Sequence, residues 1–268
     1  MTIAILTDFG TSDNYNGVME AVIKKLNREA DIIYISPEAK NFNIISGSYL
    51  LYTSFRYFRK NTIFLVVIDP GVGTERKPLA IKTRNYIFIG PDNGVLYPSI
   101  KADEVVDLHV IDNEKVYLSK AISNTFHGRD IFSISAALLS LRVPMDTLGS
   151  KISEDRIQKV DFSVRVENNM ICTKVIFIDH YGNVALALRD AKVKLGMTAQ
   201  LKVGGRTYQA WTASTFQDRE TGLIVYRNGY GFLELGLNKA NASLLLDVKE
   251  GDDVCIEGSI LVDFSPFI

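Results

Sequence analysis

Short, uninterrupted apolar runs that end in an acid open the chain and recur about sixty residues on. IAILTD (Ile3 to Asp8) and TIFLVVID (Thr62 to Asp69) have the length and apolar density of strands buried on both faces, and DIIYIS (Asp31 to Ser36) is a third strand. Between them, NGVMEAVIKKLN places Val18, Val22 and Leu26 at helical spacing, and IISGSYLLYTSFRYF does the same with Ile44, Leu51, Phe55 and Phe58. Alternating strand and helix predicts right-handed crossovers and a mainly parallel sheet. LAIKT and YIFIGP, joined through Arg84 and Asn85, predict a hairpin added to that sheet. Further on, NTFHGRDIFSISAALLSL passes from loop to a helix with Ile131, Ile134, Leu138 and Leu141 on one face, stopped by Pro144.

After the polar stretch GSKISEDRIQK the period changes. MICTKVIFID, VALALR, AQLKVGG, RTYQAWT, GLIVYRN, FLELGL, SLLLDV and DVCIEG read as short strands separated by Gly, Asn and Asp turns, the pattern of a sandwich or barrel. The predicted fold class is therefore α/β: an N-terminal α/β domain with a mainly parallel sheet, residues 1–165, and a C-terminal all-β, barrel-like domain, residues 166–268. No internal repeat or low-complexity segment interrupts either part.

Composition narrows the function classes. Lys+Arg 30 against Asp+Glu 31 leaves a net charge of -1, without the basic field that attracts nucleic acid or an anionic membrane. No apolar run is long enough for a membrane span, and MTIAILTDFG lacks the features of a signal peptide. Cys172 and Cys255 lie far apart and outside any CxxC spacing, which argues against a disulfide framework or a zinc site and for a reducing cytoplasm. His109, His127 and His180 share no two-histidine metal spacing, so no metal site is expected.

Ligands of open α/β sheets bind beyond the carboxyl ends of the strands, where Asp8 and Asp69 fall. In TDFGTSDNYNG, Asp8 and Asp13 flank a glycine turn, with Thr11 and Ser12 available to cap the following helix. The carboxylates serve either a ribose diol or the cap. DPGVGTER sets Asp69 and Arg76 at the two ends of one glycine turn, as a surface ion pair or as a ligand site. It lacks the lysine and spacing of a Walker A loop. DFG and HGRD have the wrong order and spacing for a kinase. His127 opens a helix, either packed on backbone or, with Asp69 and Arg76, completing the residue types needed to hold and activate a water. In the second half, IDHYGNV carries Asp179 and Asn183 through a turn at Gly182, and RNGYGF turns at Asn228, Gly229 and Gly231.

LTDFGTSDNYNGVMEAVI, VVIDPGVGTERKPLAI, IGPDNGVL, TFHGRDIF, IDHYGNV and GYGFLELGLNKANA, in this order, resemble the S-adenosyl-L-methionine hydroxide adenosyltransferases, relatives of the fluorinases and chlorinases. The resemblance implies an α/β domain followed by a barrel-like domain, a homotrimer with its site between neighbouring subunits, and conversion of S-adenosylmethionine and water to adenosine and methionine without a cofactor. It implies Asp69, Arg76 and His127 as the catalytic residues, Asp8 on the ribose with Asp13 nearby, Asp179 at the methionine amino end and Asn183 at the adenine. Gly229 and Tyr230 stand where the family carries a serine-containing pattern, which leaves backbone contacts there, and Pro37 and Asn43 mark a second departure. The halogenases carry a tyrosine in place of Asp69 and a small residue in place of His127, and an anionic Asp69 repels a halide. A non-catalytic S-adenosylmethionine or adenosine sensor is the alternative from another class.

Overall fold

The apolar runs that end in acids become the middle of a sheet. The computed structural model describes residues 1–268. In its first unit, Met1–Val160, the order is β1 (Thr2–Thr7), α1 (Tyr15–Leu26), β2 (Asp31–Ser36), α2 (Ile44–Ser54), β3 (Ile63–Val67), β4 (Pro78–Thr83), β5 (Ile87–Pro91), α3 (Tyr97–Ala102), β6 (Val105–Val110) and α4 (Ser133–Ser140). These strands form one sheet in the order β2-β1-β3-β5-β4-β6. It is parallel from β2 to β5, with β4 antiparallel to both β5 and β6. The hairpin read from the sequence is β4 and β5. A single π-helical turn, Gly128–Phe132, leads into α4.

Every residue of β3 is buried, which explains why its sequence does not alternate. Ile63 and Leu65 point into one layer with Met19, Ile23, Phe132 and Ala136. Phe64 stacks on Phe88 at 5.0 Å in an aromatic cluster that also takes in Phe55 and Tyr86. Each such side chain contributes about 1.5–3 kcal/mol by leaving water. Because Thr7 of β1 pairs with Val67 of β3, the chain leaves both strands at the same sheet end, carrying Asp8 and Asp69 out together.

The second unit, Asp161–Ile268, contains β7 (Arg165–Glu167), β8 (Met170–Ile178), β9 (Val184–Val193), β10 (Thr198–Val203), β11 (Arg206–Thr212), β12 (Leu223–Arg227), β13 (Phe232–Leu237), α5 (Ala242–Leu246), β14 (Asp253–Glu257) and β15 (Leu261–Pro266). Seven strands, β9-β13-β12-β11-β10-β14-β8, close into a barrel through the β8–β9 pairing, and β7 and β15 flank it. Apolar residues alternating into the ring, among them Val175, Leu186, Leu201, Val225, Leu235 and Val254, form its core.

Two expectations fail here. SLLLDV is not a strand: Asn241 caps α5 by accepting the Leu244 N–H at 2.9 Å, Ala242 and Leu246 are buried one turn apart, and Asp247 ends the helix in the left-handed region at φ 54°. Nor are the cysteines unpaired. Cys172 on β8 and Cys255 on β14 are opposed residues of one antiparallel pair and form a disulfide across a separation of 83 residues. Spacing in sequence is no guide once two strands pair side by side, and the cysteine argument for a reducing compartment lapses.

Candidate active site

The turns that follow β1 and β3 build the first part of the site. Asn16 braces the loop after β1 by accepting the Thr7 hydroxyl at 2.7 Å and donating to the Gly10 carbonyl at 2.8 Å, while Gly10 N–H reaches Pro37 O. The expected helix cap is absent: α1 begins after Asn14 without a side-chain cap, and the Thr11 hydroxyl donates to Glu38 instead. Asp8 caps no helix either. Its Oδ2 accepts the N–H of Phe42 at 2.7 Å, which holds that residue, 72% exposed, in the left-handed region at φ 60°. Burial pushes the Asp8 carboxyl above its usual range against the Phe42 hydrogen bond, and the charge of Asp69 adds to the rise.

After β3, the glycine turn folds Arg76 back onto Asp69. Val72 N–H bonds the Asp69 carbonyl, and Thr74 bonds Gly71 through both N–H and hydroxyl. Gly73, at φ 78°, lies so close to the backbone of Asn124 that a Cβ there would stand 2.2 Å from its carbonyl oxygen. Arg76 donates through Nε to Asp69 Oδ1 and Oδ2 at 2.9 and 3.0 Å and through Nη2 to Oδ2; the two side chains are only 8% and 5% exposed. This is no surface ion pair. Nη2 also lies 2.9 Å from Nδ1 of His127. A guanidinium can only donate, so Nδ1 accepts and the neutral imidazole carries its proton on Nε2. Burial, and then the Arg76 charge, hold the His127 pKa below its ordinary value.

Asp8, Asp69, His127 and Arg129 border a cavity of about 470 Å³ whose other walls include Phe9, Tyr15, Phe42 and Phe126. Phe9, Tyr15 and Phe126 form a packed trio with centroids 5.0–6.0 Å apart, Phe126 meeting the other two rings edge-on. Asp13 is exposed and does not border this cavity. Asn93 supports it from behind, donating to the Ile68 carbonyl at 2.9 Å just before Asp69. Neither Asn93 nor the aromatic trio stands out in the sequence. PDNG had the turn chemistry to draw attention to Asn93, but aromatic residues at loop positions carry no periodic signal.

In the barrel unit, Asp179 Oδ1 accepts the N–H groups of Tyr181 and Asn183, and Oδ2 accepts Asn183 Nδ2 at 2.9 Å, which orients the Asn183 amide. Asn183 borders a second cavity, about 580 Å³, with Tyr181, Phe216, Leu237, Asn238 and Asn241. Gly229 and Tyr230 form the β12–β13 turn, organised by Asn228, and do not border that cavity. Glu234, another residue the sequence analysis did not single out, is buried beneath this turn. It accepts from Tyr226 OH and Asn228 Nδ2, and burial raises its carboxyl pKa against those two hydrogen bonds. The structure thus gathers Asp8, Asp69, Arg76 and His127 in one unit and Asp179 with Asn183 in the other.

Family models for the SAM hydroxide adenosyltransferase N-terminal domain and C-terminal domain match residues 3–149 and 173–255. The chain belongs to the SAM hydroxide adenosyltransferase family. It is 32% identical to an (R)-S-adenosyl-L-methionine hydrolase of Methanocaldococcus jannaschii, covering 94% of each chain, and 30% identical to one of Salinispora arenicola, covering 94% and 96%. A fluorinase of Actinoplanes is 23% identical across 95% of this chain and 96% of its own. Among solved structures, an uncharacterized conserved protein from Thermotoga maritima superposes with a TM-score of 0.85 at 36% identity, covering 95% and 99%. No group of three or more His, Cys, Asp or Glu side chains is placed to hold a metal ion, and no helix is long and apolar enough to cross a membrane.

Proposed function

We propose that this family member hydrolyses S-adenosyl-L-methionine to adenosine and L-methionine by attack of water on ribose C5'. The observation that carries the reading is the buried Asp69–Arg76–His127 cluster at the wall of the cavity. The sulfonium leaves as a neutral thioether, so the reaction requires no electrophilic activation. The nucleophile is what needs help, since free water is a very weak acid and attacks poorly. Asp69 accepts a proton of the water, His127 donates Nε2–H to its oxygen, and Arg76 holds both partners in place while keeping Asp69 an acceptor. Water and the sulfonium substrate give adenosine, methionine and one proton, which passes from Asp69 to solvent.

We assign Asp8 to the ribose hydroxyls, Asn183 to the adenine edge and the remaining lone pair of Asp179 Oδ2 to the methionine ammonium. Asp13 and the backbone of Gly229 and Tyr230 are assigned to the rim of the site. The complete site forms in a homotrimer, the barrel unit of a neighbouring copy closing it, in the cytoplasm and without a cofactor. The names of the relatives direct attention to the (R) configuration at sulfur. A halide as nucleophile is disfavoured by the anionic Asp69 at the cavity wall.

The test is incubation of purified protein with the (R) and (S) epimers in oxygen-18 water, with and without chloride, beside Asp69→Ala. Label in the adenosine 5'-hydroxyl, lost in the variant, is the expected result. A 5'-chloro product, or tight binding without turnover, overturns it.

A further inference from the structure

Asp130 is the least exposed acid of the chain, at 1%, and the proposed chemistry does not use it. It lies in the π-helical turn three residues after His127. Its carboxylate accepts Arg129 Nε at 2.6 Å and Nη2 at 2.9 Å, and also the Ser123 N–H at 2.7 Å. Its carbonyl accepts the Leu118 N–H at 2.9 Å. One residue therefore ties down both ends of Leu118–Ser123, a stretch with no helix or strand of its own and with Ser119, Lys120 and Ala121 exposed. Beyond Ser123, the Asn124 carbonyl presses on Gly73 of the Asp69–Arg76 turn, and Ser123, Thr125 and Phe126 line the cavity.

We infer that Asp130 is a positioning residue that pins the Leu118–Phe126 segment against the Asp69–Arg76 turn and thereby holds one wall of the reaction cavity. Burying a carboxylate is costly unless its lone pairs are taken, and three donors take them here. The carboxylate stays ionised: burial would raise its pKa, but Arg129, the Ser123 N–H and His127 outweigh burial and hold it low. A wall held in this way governs how closely water and C5' are confined, and a misplacement of about 1 Å costs roughly 100-fold in rate. The inference rests on the hydrolase reading for its kinetic half only.

Its test pairs steady-state kinetics with trypsin cleavage after Lys120 on the full chain. Asp130→Ala is expected to lower kcat about 100-fold with KM within about threefold, and to speed cleavage after Lys120 roughly tenfold or more. Asp130→Asn keeps an oxygen for the Ser123 N–H, so its cleavage stays near that of the parent and its kcat falls between the two. If Asp130→Ala does not fold, Ser123→Pro, which removes the donated N–H along with the hydroxyl that accepts the Thr125 N–H, should give both changes. A folded Asp130→Ala or Ser123→Pro that keeps kcat within about threefold, or in which Lys120 is cut no faster than in the parent, overturns the inference. A parent without hydrolase activity would remove the functional reading, while the cleavage rates would still decide the clamp.

Discussion

His127 offers the sharpest test of the chemistry, because its two nitrogens have different partners. Nδ1 accepts from Arg76 at 2.9 Å, and Nε2–H is left for the cavity. Two amides separate these duties: His127→Asn places an oxygen near Nδ1, while His127→Gln places an N–H near Nε2. The donor holds the water oxygen in line with C5' while Asp69 draws off its proton, and placement lost by about 1 Å costs about 100-fold in kcat, or about 3 kcal/mol. Asparagine gives up that donor and keeps the Arg76 acceptor. Glutamine keeps the donor and leaves one N–H of Arg76 Nη2, the one not given to Asp69, without its acceptor, at a stability cost of about 1–3 kcal/mol. The orders are therefore opposite: His127→Gln retains kcat within about tenfold of the parent but melts lower, and His127→Asn loses about 100-fold in kcat but melts higher. Adenosine formation at saturating substrate, with thermal unfolding of the same preparations, reads both. Equal kcat values, or a more active asparagine variant, would refute the donor role.

Four further outcomes follow from the geometry. Because burial and Arg76 depress the His127 pKa, its neutral form should persist below the ordinary 6.5, and the acid limb that His127 contributes to kcat/KM should lie below that value; a histidine limb at or above it contradicts the site. The same group contributes stability that is complete above about 6.5 and is lost as pH falls through the depressed folded value, so the melting temperatures of parent and His127→Gln should diverge less in acid. Reduction of Cys172–Cys255 removes a cross-link spanning 83 residues and should cost about 2–4 kcal/mol of barrel stability, checked by denaturant unfolding with and without reductant and by a thiol titration that finds two groups only after reduction. Gly73→Ala should lower kcat by at least about tenfold, since its methyl group must push the Asn124 carbonyl away from the turn; an unchanged kcat would show that the contact yields without moving the site.

Much of the first unit was legible because β1 and β3 are buried on both faces, and such strands show as continuous apolar runs ending where the sheet ends. The acids Asp8 and Asp69 were legible for the same reason, as the first charged residues beyond those runs. The contact of His127 with Arg76 was not, because 51 residues separate them and no periodic pattern records which loop covers which turn. SLLLDV was misread because four apolar residues fit either period over so short a span. Only the Asn241 cap and the burial of Ala242 and Leu246 distinguish helix from strand. The cysteine pair was hidden by strand order, since the sequence does not state that β14 lies beside β8.

The barrel has an odd number of strands, and oddness has a geometric consequence. In a closed ring where every neighbour runs antiparallel, directions must alternate, and alternation around a circle requires an even count. Seven strands therefore force a parallel pair, and β11 beside β12 is that pair, every other neighbour in the ring being antiparallel. A hairpin cannot join parallel strands, so the chain must return along the barrel before β12 can begin. The returning segment is Ala213–Gly222, and it carries Phe216 to the cavity beside Asn183. A ring of six or eight strands could close on hairpins alone and would have no such return. The parity of the barrel is what supplies that aromatic wall.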